Sequence, residues 1–149
     1  MKKSIKIILG ILWWLWQLTW GALMTYPGLL VTAFCIVVLR CKPHKNGFSY
    51  IVRIGKHWGG LEIGAVALCD RTSSFNYIRR HEFGHNMQQL IFGPFQIFIW
   101  IASAIRYWYF NYLDSKHKKH NSYDSIWFEK TATDWGYATM QLIEQEVIK

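Results

Sequence analysis

The chain has 149 residues, which is enough for one domain with a real core but not for two. Its hydrophobic fraction of 52%, with nine tryptophans, is high for a soluble domain. The net charge of +8 fits either nucleic acid or an anionic membrane surface, but the sequence contains no nucleic-acid-binding motif.

The basic residues stand beside the apolar stretches, which favours a membrane surface as the partner over nucleic acid. They flank the apolar runs 4–39 and 94–113, at Lys2, Lys3, Lys6, Arg40, Lys42, Lys45, Lys116, Lys118 and Lys119. This placement matches the positive-inside pattern and predicts attraction to anionic lipid headgroups. Nothing in the sequence indicates an oligomeric state.

The N-terminal region is predicted to be embedded in a membrane. Residues 5–24 are mostly apolar and long enough for one membrane-embedded helix. A signal peptide is the alternative, but the run is long and rich in tryptophan, and no small-residue cleavage site follows it. The sequence TYPG is predicted to break this helix, and the second apolar run that follows, residues 29–39, is too short to cross a bilayer. We therefore predict that residues 1–45 form a helical hairpin that dips into one leaflet.

The next segment, residues 46–70, has the pattern of β-strands and not that of a long apolar helix. Alternation in FSYIVRI and the apolar residues of LEIGAVAL predict two strands, with GKHWGG as the connecting turn. We expect these strands to form a small antiparallel hairpin or sheet. The sequence DRTSS then offers N-cap residues for a helix from about Phe75 to Ile91, which Gly93 and Pro94 end.

A third apolar run, residues 94–113, contains Arg106 and ends in YWYFNYL, an aromatic belt typical of the headgroup level. The loop DSKHKKHNSYD that follows is too polar to return through hydrocarbon, so we expect the run to be re-entrant or interfacial. From Trp127 onward, helical spacing predicts a C-terminal helix. The predicted fold class is therefore α+β and mostly helical, with membrane-embedded apolar helices.

The stretch RRHEFGHNMQQ contains the motif H-E-x-x-H on the predicted helix. His81 and His85 are four residues apart, so both imidazoles project from one face and can bind the same metal ion. Catalytic zinc takes three protein ligands and a water, and Glu82 can accept a proton from that water as general base. The motif therefore predicts a Zn²⁺ site with His81 and His85 as ligands and Glu82 as the catalytic residue.

A third ligand is required, and the residue types alone do not single one out. Cys69 fits a buried strand thiol, and His117 and His120 lie in a lysine-rich loop. Glu129, among aromatic neighbours, fits a buried ligand as well as an exposed charge in the first turn of a helix. The candidates are Cys69, Asp114, His117, His120, Asp124, Glu129 and Asp134.

The sequence HEFGHNMQQLIFGP, followed later by WFEKTATDWG, resembles zinc metalloproteases of the gluzincin type. It resembles more closely a group of small bacterial membrane proteins with HExxH, a Gly-Pro helix end, an aromatic membrane segment and a later E-x-x-A. The resemblance implies that residues 46–149 form a zincin-like metallopeptidase region in which Glu129, on the C-terminal helix, is the third ligand. Such proteins usually place an acid directly after the alanine to orient a ligating histidine. This chain has Thr133 there, and Asp134 one residue later.

The leading prediction is a membrane-associated, zinc-dependent peptidase that acts on a peptide or protein substrate. We expect it at the bacterial inner membrane with its active site on the cytoplasmic face. The odd number of cysteines, Cys35, Cys41 and Cys69, favours free thiols in that compartment. One alternative is a site-2-type intramembrane protease, but its late aspartate stands before glycine, whereas this chain has NYLDS. The other is a non-catalytic membrane protein with a structural or vestigial zinc site.

Overall fold

The computed structural model describes residues 3–144, which are mostly helical with one small four-stranded sheet. The elements are α1 (Lys3–Thr19), α2 (Ala22–Val37), β1 (Pro43–Asn46), β2 (Ser49–Arg53), β3 (Gly60–Ile63), β4 (Val66–Cys69), α3 (Phe75–Phe92), α4 (Gln96–Ser115) and α5 (Trp127–Glu144). Short 3₁₀ turns precede α4 and α5, at Gly93–Phe95 and Tyr123–Ser125. Lys2 and residues 145–149 of the predicted C-terminal region lie outside the described residues.

The sheet is mixed, so the prediction of an antiparallel sheet is wrong. Its strand order is β1-β2-β4-β3, and the central pair β2–β4 is parallel, whereas the two outer pairs are antiparallel. The predicted single strand over 61–68 is divided at Gly64, whose φ of +70° turns the chain back on itself. All four residues of β4 are buried. This apolar strand therefore takes a central position, and β3 is left at the edge.

The two N-terminal helices meet at a bend of 102°. The break lies between Thr19 and Ala22, and not at TYPG as the sequence predicted, because α2 continues through Pro27. A proline there removes a single helical hydrogen bond. The adjacent Gly28 lets α2 pack directly on the β3–β4 turn, since a Cβ at Gly28 would collide with the carbonyl oxygen of Ile63.

Helix α1 is tied to the rest of the fold by polar side chains. The Trp16 indole Nε1 donates a hydrogen bond to the carbonyl of Leu90 (2.8 Å), and Gln17 Nε2 donates to the carbonyl of Asn86 (3.0 Å). Gln17 is completely buried. The aliphatic side chains of α1 point outward instead, and the exposed ones are Ile5, Ile7, Ile8, Leu9, Ile11, Leu12 and Leu15.

Helices α3 and α5 pack together through small residues. A Cβ at Gly84 would collide with the carbonyl oxygen of Ala132, and a Cβ at Gly136 would collide with the carbonyl oxygen of Arg80. Only residues without a larger side chain allow two helix backbones to approach this closely. The contact holds the start of α5 against the face of α3 that carries the H-E-x-x-H motif.

By length and composition, one helical run in the described residues is long and apolar enough to cross a membrane. It is Phe75–Ser115, which contains α3 and α4, and only 11% of its apolar window is buried. The bent pair α1 and α2 passes the same test only if both helices are counted as one span. The three cysteines are free and buried, as the sequence predicted for free thiols.

Candidate metal centre

Three side chains from two helices converge on one point. His81 and His85 lie one turn apart on α3, and Glu129 lies in the first turn of α5 with only 1% of its surface exposed. The Nε2 atoms of His81 and His85 are 3.1 and 3.3 Å from Glu129 Oε2. These three potential ligand atoms lie within 4.8 Å of one another, so the buried cluster could hold a metal ion. They are the three residues that the sequence and its resemblance nominated.

The other candidate ligands lie outside this cluster. Asp114 pairs with His120, with Oδ1 and Nε2 2.9 Å apart, and Asp124 accepts a hydrogen bond from the Tyr77 hydroxyl. Cys69 is buried in the sheet, where it packs with apolar neighbours. The remaining two, His117 and Asp134, are exposed.

A buried glutamine fixes the orientation of His85. Gln88 Nε2 donates hydrogen bonds to the carbonyl of Phe128 (2.6 Å) and to Thr131 Oγ1 (2.7 Å). Its Oε1 therefore faces His85 Nδ1, at 2.8 Å. Because an amide oxygen can only accept, Nδ1 must carry the hydrogen. The other nitrogen, Nε2, is thus the one available to bind a proton or a metal ion.

The ring of His81 is held by α5 in a similar way. Its Nδ1 lies 2.8 Å from Thr133 Oγ1, and its face stacks on Tyr77 with the two rings 13° from parallel. Thr133 occupies the position where the resembling proteins carry an acid, whereas Asp134 is exposed to solvent. A hydroxyl therefore takes the place of the carboxylate that would contact this histidine.

The two oxygens of Glu129 have different partners. Oε2 faces the histidines, and Oε1 accepts a hydrogen bond from Ser103 on α4. Burial alone would raise the pKa of Glu129, but hydrogen bonds from His81, His85 and Ser103 hold that pKa well below its usual range. The carboxylate is therefore ionised, and a bound cation could take the place of the hydrogens between it and the two Nε2 atoms.

Glu82 lies beside the cluster, buried against the edge strand β3. A Cβ at Gly60 would collide with Glu82 Oε1, so only glycine lets the strand backbone come this close to the carboxylate. Glu82 therefore lines the same cavity as the three potential ligands and the edge strand β3.

A second buried carboxylate, Glu62, was not identified from the sequence. It lies on β3, and burial raises its pKa to about 8. Most of it is therefore protonated at neutral pH, where it adds little repulsion to the charge of Glu129, and burial raises the pKa of Glu82 as well. The signal for it was present in the sequence: strand alternation places Gly60 and Glu62 on the same face, which is the face that meets α3.

A cavity of about 730 Å³ opens in front of these residues, between α3, β3 and α4. One wall consists of side chains of α4, four of them aromatic, and another consists of the β3 edge. Its aromatic members include Trp58, Tyr77, Trp100, Tyr107, Trp108 and Tyr123. The cavity is large and mostly apolar, with Glu62, Glu82 and the His–His–Glu cluster on one side and Asp114, His120 and Asp124 elsewhere in its lining, and such apolar cavities with a few polar groups are typical of ligand sites.

No protein-family model, no curated protein and no solved structure matches this chain. The resemblance to gluzincin-type metalloproteases therefore stays a prediction.

Proposed function

We propose that this chain is a membrane-associated, zinc-dependent peptidase. The observation that carries the proposal is the convergence of His81, His85 and Glu129 with a separate buried carboxylate, Glu82, at their side. Two imidazole nitrogens and one carboxylate oxygen suit zinc, and a three-ligand set is that of catalytic sites, which keep a fourth position open. A purely structural or vestigial site, the alternative function, has no use for Glu82.

Glu82 is the general base in this proposal. Zinc, when bound, lowers the pKa of a water and polarises the carbonyl of the substrate. Glu82 takes the proton from the attacking water as the new C–O bond forms, and it gives the proton to the leaving nitrogen as the C–N bond breaks. Thr133 and Gln88 hold the two imidazoles in place, and Ser103 holds Glu129.

The substrate backbone has a place to bind at β3. This strand is at the edge of the sheet, and Gly60, Leu61 and Glu62 line the cavity. An extended peptide can add to such an edge through main-chain hydrogen bonds, which would bring its scissile bond close to Glu82. The substrate is accordingly a peptide or an extended segment of a protein.

Membrane association is supported by large exposed apolar side chains on α1, α2 and α4. Examples are Leu30 at 73%, Phe98 at 65% and Trp108 at 68% exposure. Contiguous apolar surface of this kind marks contact with a membrane or a partner. We place the protein at the bacterial inner membrane, with the metal centre near the cytoplasmic surface.

Helix α4 lies along the interface or re-enters from one side in this proposal. The guanidinium of Arg106 donates hydrogen bonds to the carbonyls of Ser122 and Tyr123 and to Ser125 Oγ, in the turn before α5. The chain must then return Glu129 to the cluster through the polar segment 116–122, which cannot cross hydrocarbon. A site-2-type protease is less well supported, because Asp114 pairs with His120 and not with the cluster.

The test uses the full chain purified in detergent, with zinc measured by mass spectrometry and hydrolysis followed on a quenched-fluorescent peptide library. We expect about one zinc ion per chain, lost when His81 and His85 are both replaced by alanine. Glu82→Gln should keep the zinc and lose about 10²-fold or more in hydrolysis rate. Asp134→Asn, a matched change at an exposed acid, should alter neither. Stoichiometric zinc in the double histidine variant, or normal turnover in Glu82→Gln, would refute the proposal.

A further inference from the structure

A second concave site lies outside the metal centre. Four basic side chains, those of Lys42, His44, Arg53 and Arg71, line a depression of about 240 Å³. None of them lines the cavity of the metal centre. Within residues 3–144, the ion pairs formed by carboxylates involve none of the four. Such a concentration of positive charge without a protein counter-ion attracts anions.

The two arginines are held in place before any ligand arrives. Arg53 Nη2 donates to the carbonyl of Arg71 (2.7 Å), and Arg71 Nε donates to the carbonyl of Arg53 (3.4 Å). The guanidinium of Arg53 also lies over the Phe75 ring, with Cζ 5.1 Å from the ring centroid, and the His44 ring packs against the same phenyl group. Each guanidinium has five N–H donors, so several stay free to bind an anion.

The neighbouring acidic residue, Asp70, forms no ion pair with either arginine. Its carboxylate oxygens accept hydrogen bonds from the backbone N–H groups of Thr72 and Ser73 in its own turn, and from those of Trp58 and Gly59 in the β2–β3 turn. The Ser73 hydroxyl also donates to it. Its single negative charge is outnumbered by the charges of Lys42, Arg53 and Arg71, so the depression is positive overall.

The depression stands where the exposed apolar part of α2 ends. Val37 and Val38 are 74% and 58% exposed, and Cys41, which follows them, is buried with its backbone N–H bonded to the end of α2. Lys42 comes directly next, and Arg71 Nη2 lies 3.7 Å from Cys41 Sγ. A boundary between exposed aliphatic residues and basic residues is the level at which lipid phosphates lie.

We infer that these four side chains bind the phosphate group of an anionic lipid headgroup. Guanidinium groups pair with two phosphate oxygens at once, and a lysine adds a point charge. The inference depends on the membrane association proposed above but not on the peptidase activity. It would fix the depth at which the protein sits and draw the sheet towards the bilayer surface.

The test measures affinity for three probes with the full chain in a non-ionic detergent: short-chain phosphatidylglycerol, short-chain phosphatidylcholine and inorganic phosphate. Lipid adducts are counted by native mass spectrometry, and dissociation constants are obtained by calorimetry. Two variants remove charge from the depression: Arg53→Gln with Arg71→Gln, and Lys42→Gln with His44→Gln. Among residues 3–144, the side chains of Lys42 and His44 make no hydrogen bond, whereas Arg53 and Arg71 do, so the second pair separates loss of binding from loss of folding.

We expect phosphatidylglycerol to bind more tightly than phosphatidylcholine, and its Kd to rise about tenfold or more in the arginine variant. The Lys42→Gln, His44→Gln variant should show a smaller rise. A control that removes the same charge elsewhere, Lys118→Gln with Lys119→Gln, should leave the Kd unchanged. Equal binding of both lipids, or an unchanged Kd in both depression variants, would overturn the inference. Inorganic phosphate that binds as tightly as the lipid would assign the site to free phosphate instead.

Discussion

Replacing Gln88 tests whether the metal centre depends on a fixed tautomer of His85. The side chain is fully buried and has three contacts: two hydrogen bonds from Nε2 to α5, and one from His85 Nδ1 to Oε1. Gln88→Ala removes all three, and it leaves the imidazole without the acceptor that holds its ring. Gln88→Glu keeps an acceptor for Nδ1 but loses both donors to α5.

The magnitudes of the two effects differ. Three hydrogen bonds at about 0.5–1.5 kcal/mol each give a loss of roughly 1.5–4.5 kcal/mol in unfolding free energy for Gln88→Ala. The value should fall near the lower end, because the Phe128 carbonyl still accepts a hydrogen bond from Thr131. Replacing a residue that orients a metal ligand typically lowers the metal affinity about 10–100-fold, so the Kd for zinc should rise by that factor.

Two measurements separate these effects. The Kd for zinc is obtained by competition with a chelator at fixed pH, and stability is measured as the thermal unfolding midpoint of the zinc-free protein, since bound zinc would itself stabilise the fold. Gln88→Glu should lose stability but keep most of its zinc affinity, whereas Gln88→Ala should lose both. Gln141→Ala, an exposed glutamine on α5, is the control. A wild-type Kd for zinc in Gln88→Ala would contradict the assigned role of Gln88.

Three further predictions follow from the packing and charges. Gly84→Ala should cost about 1–3 kcal/mol of stability and lower the zinc content, because its Cβ meets a backbone carbonyl of α5, whereas Gly10→Ala has room and should cost nothing. Burial alone would raise the pKa of Asp70, but its hydrogen bonds lower that pKa well below the usual range. The stability that the ionised Asp70 adds to the fold is therefore complete above about pH 4 and is lost as the pH falls further. The unfolding midpoint of Asp70→Asn should therefore depend less on pH below about 4 than that of the native chain. Single cysteines introduced at Asn76 and Lys118, on either side of α4, should react with an impermeant reagent from one side of sealed vesicles, and the buried native thiols should give little background. Labelling from opposite sides would show that α4 crosses the bilayer.

The sequence predicts that His81 and His85 share one helix face, but it does not predict the residues that hold the ligands in place. The i, i+4 spacing of His81 and His85 fixes their common face as soon as the segment is helical. The third ligand was named by resemblance, because residue types left Glu129 and several other candidates open. Gln88 and Ser103 contact the ligands only because α5 and α4 pack beside α3, and no spacing in the sequence encodes those contacts.

The fold was predictable where hydrophobic periodicity is strong, and it was mispredicted where a single glycine sets the position of a turn or a helix break. The helices that begin at Phe75 and Trp127 follow their predicted positions closely. The strand over 61–68 was mispredicted because its composition is apolar apart from Glu62, and the turn at Gly64 depends on how α2 packs against it. The break near Gly21 was missed for a similar reason: Pro27 is the stronger helix breaker locally, but the tertiary contact of Gly28 keeps α2 intact.

The link between sequence and chemistry in this protein lies in one helix contact. On α3, Gly84 lies two residues after Glu82. On α5, Ala132 lies about one turn after Glu129, and Gly136 lies one turn after Ala132. Because Gly84 and Gly136 have no side chains, α3 and α5 approach until backbone meets backbone. The carboxylate one turn before Ala132 then lies against the two imidazoles. A larger residue at either glycine would separate the helices and leave the motif intact in sequence but without its third donor. For this reason the two glycines are as necessary to the proposed zinc site as the residues that would bind the ion.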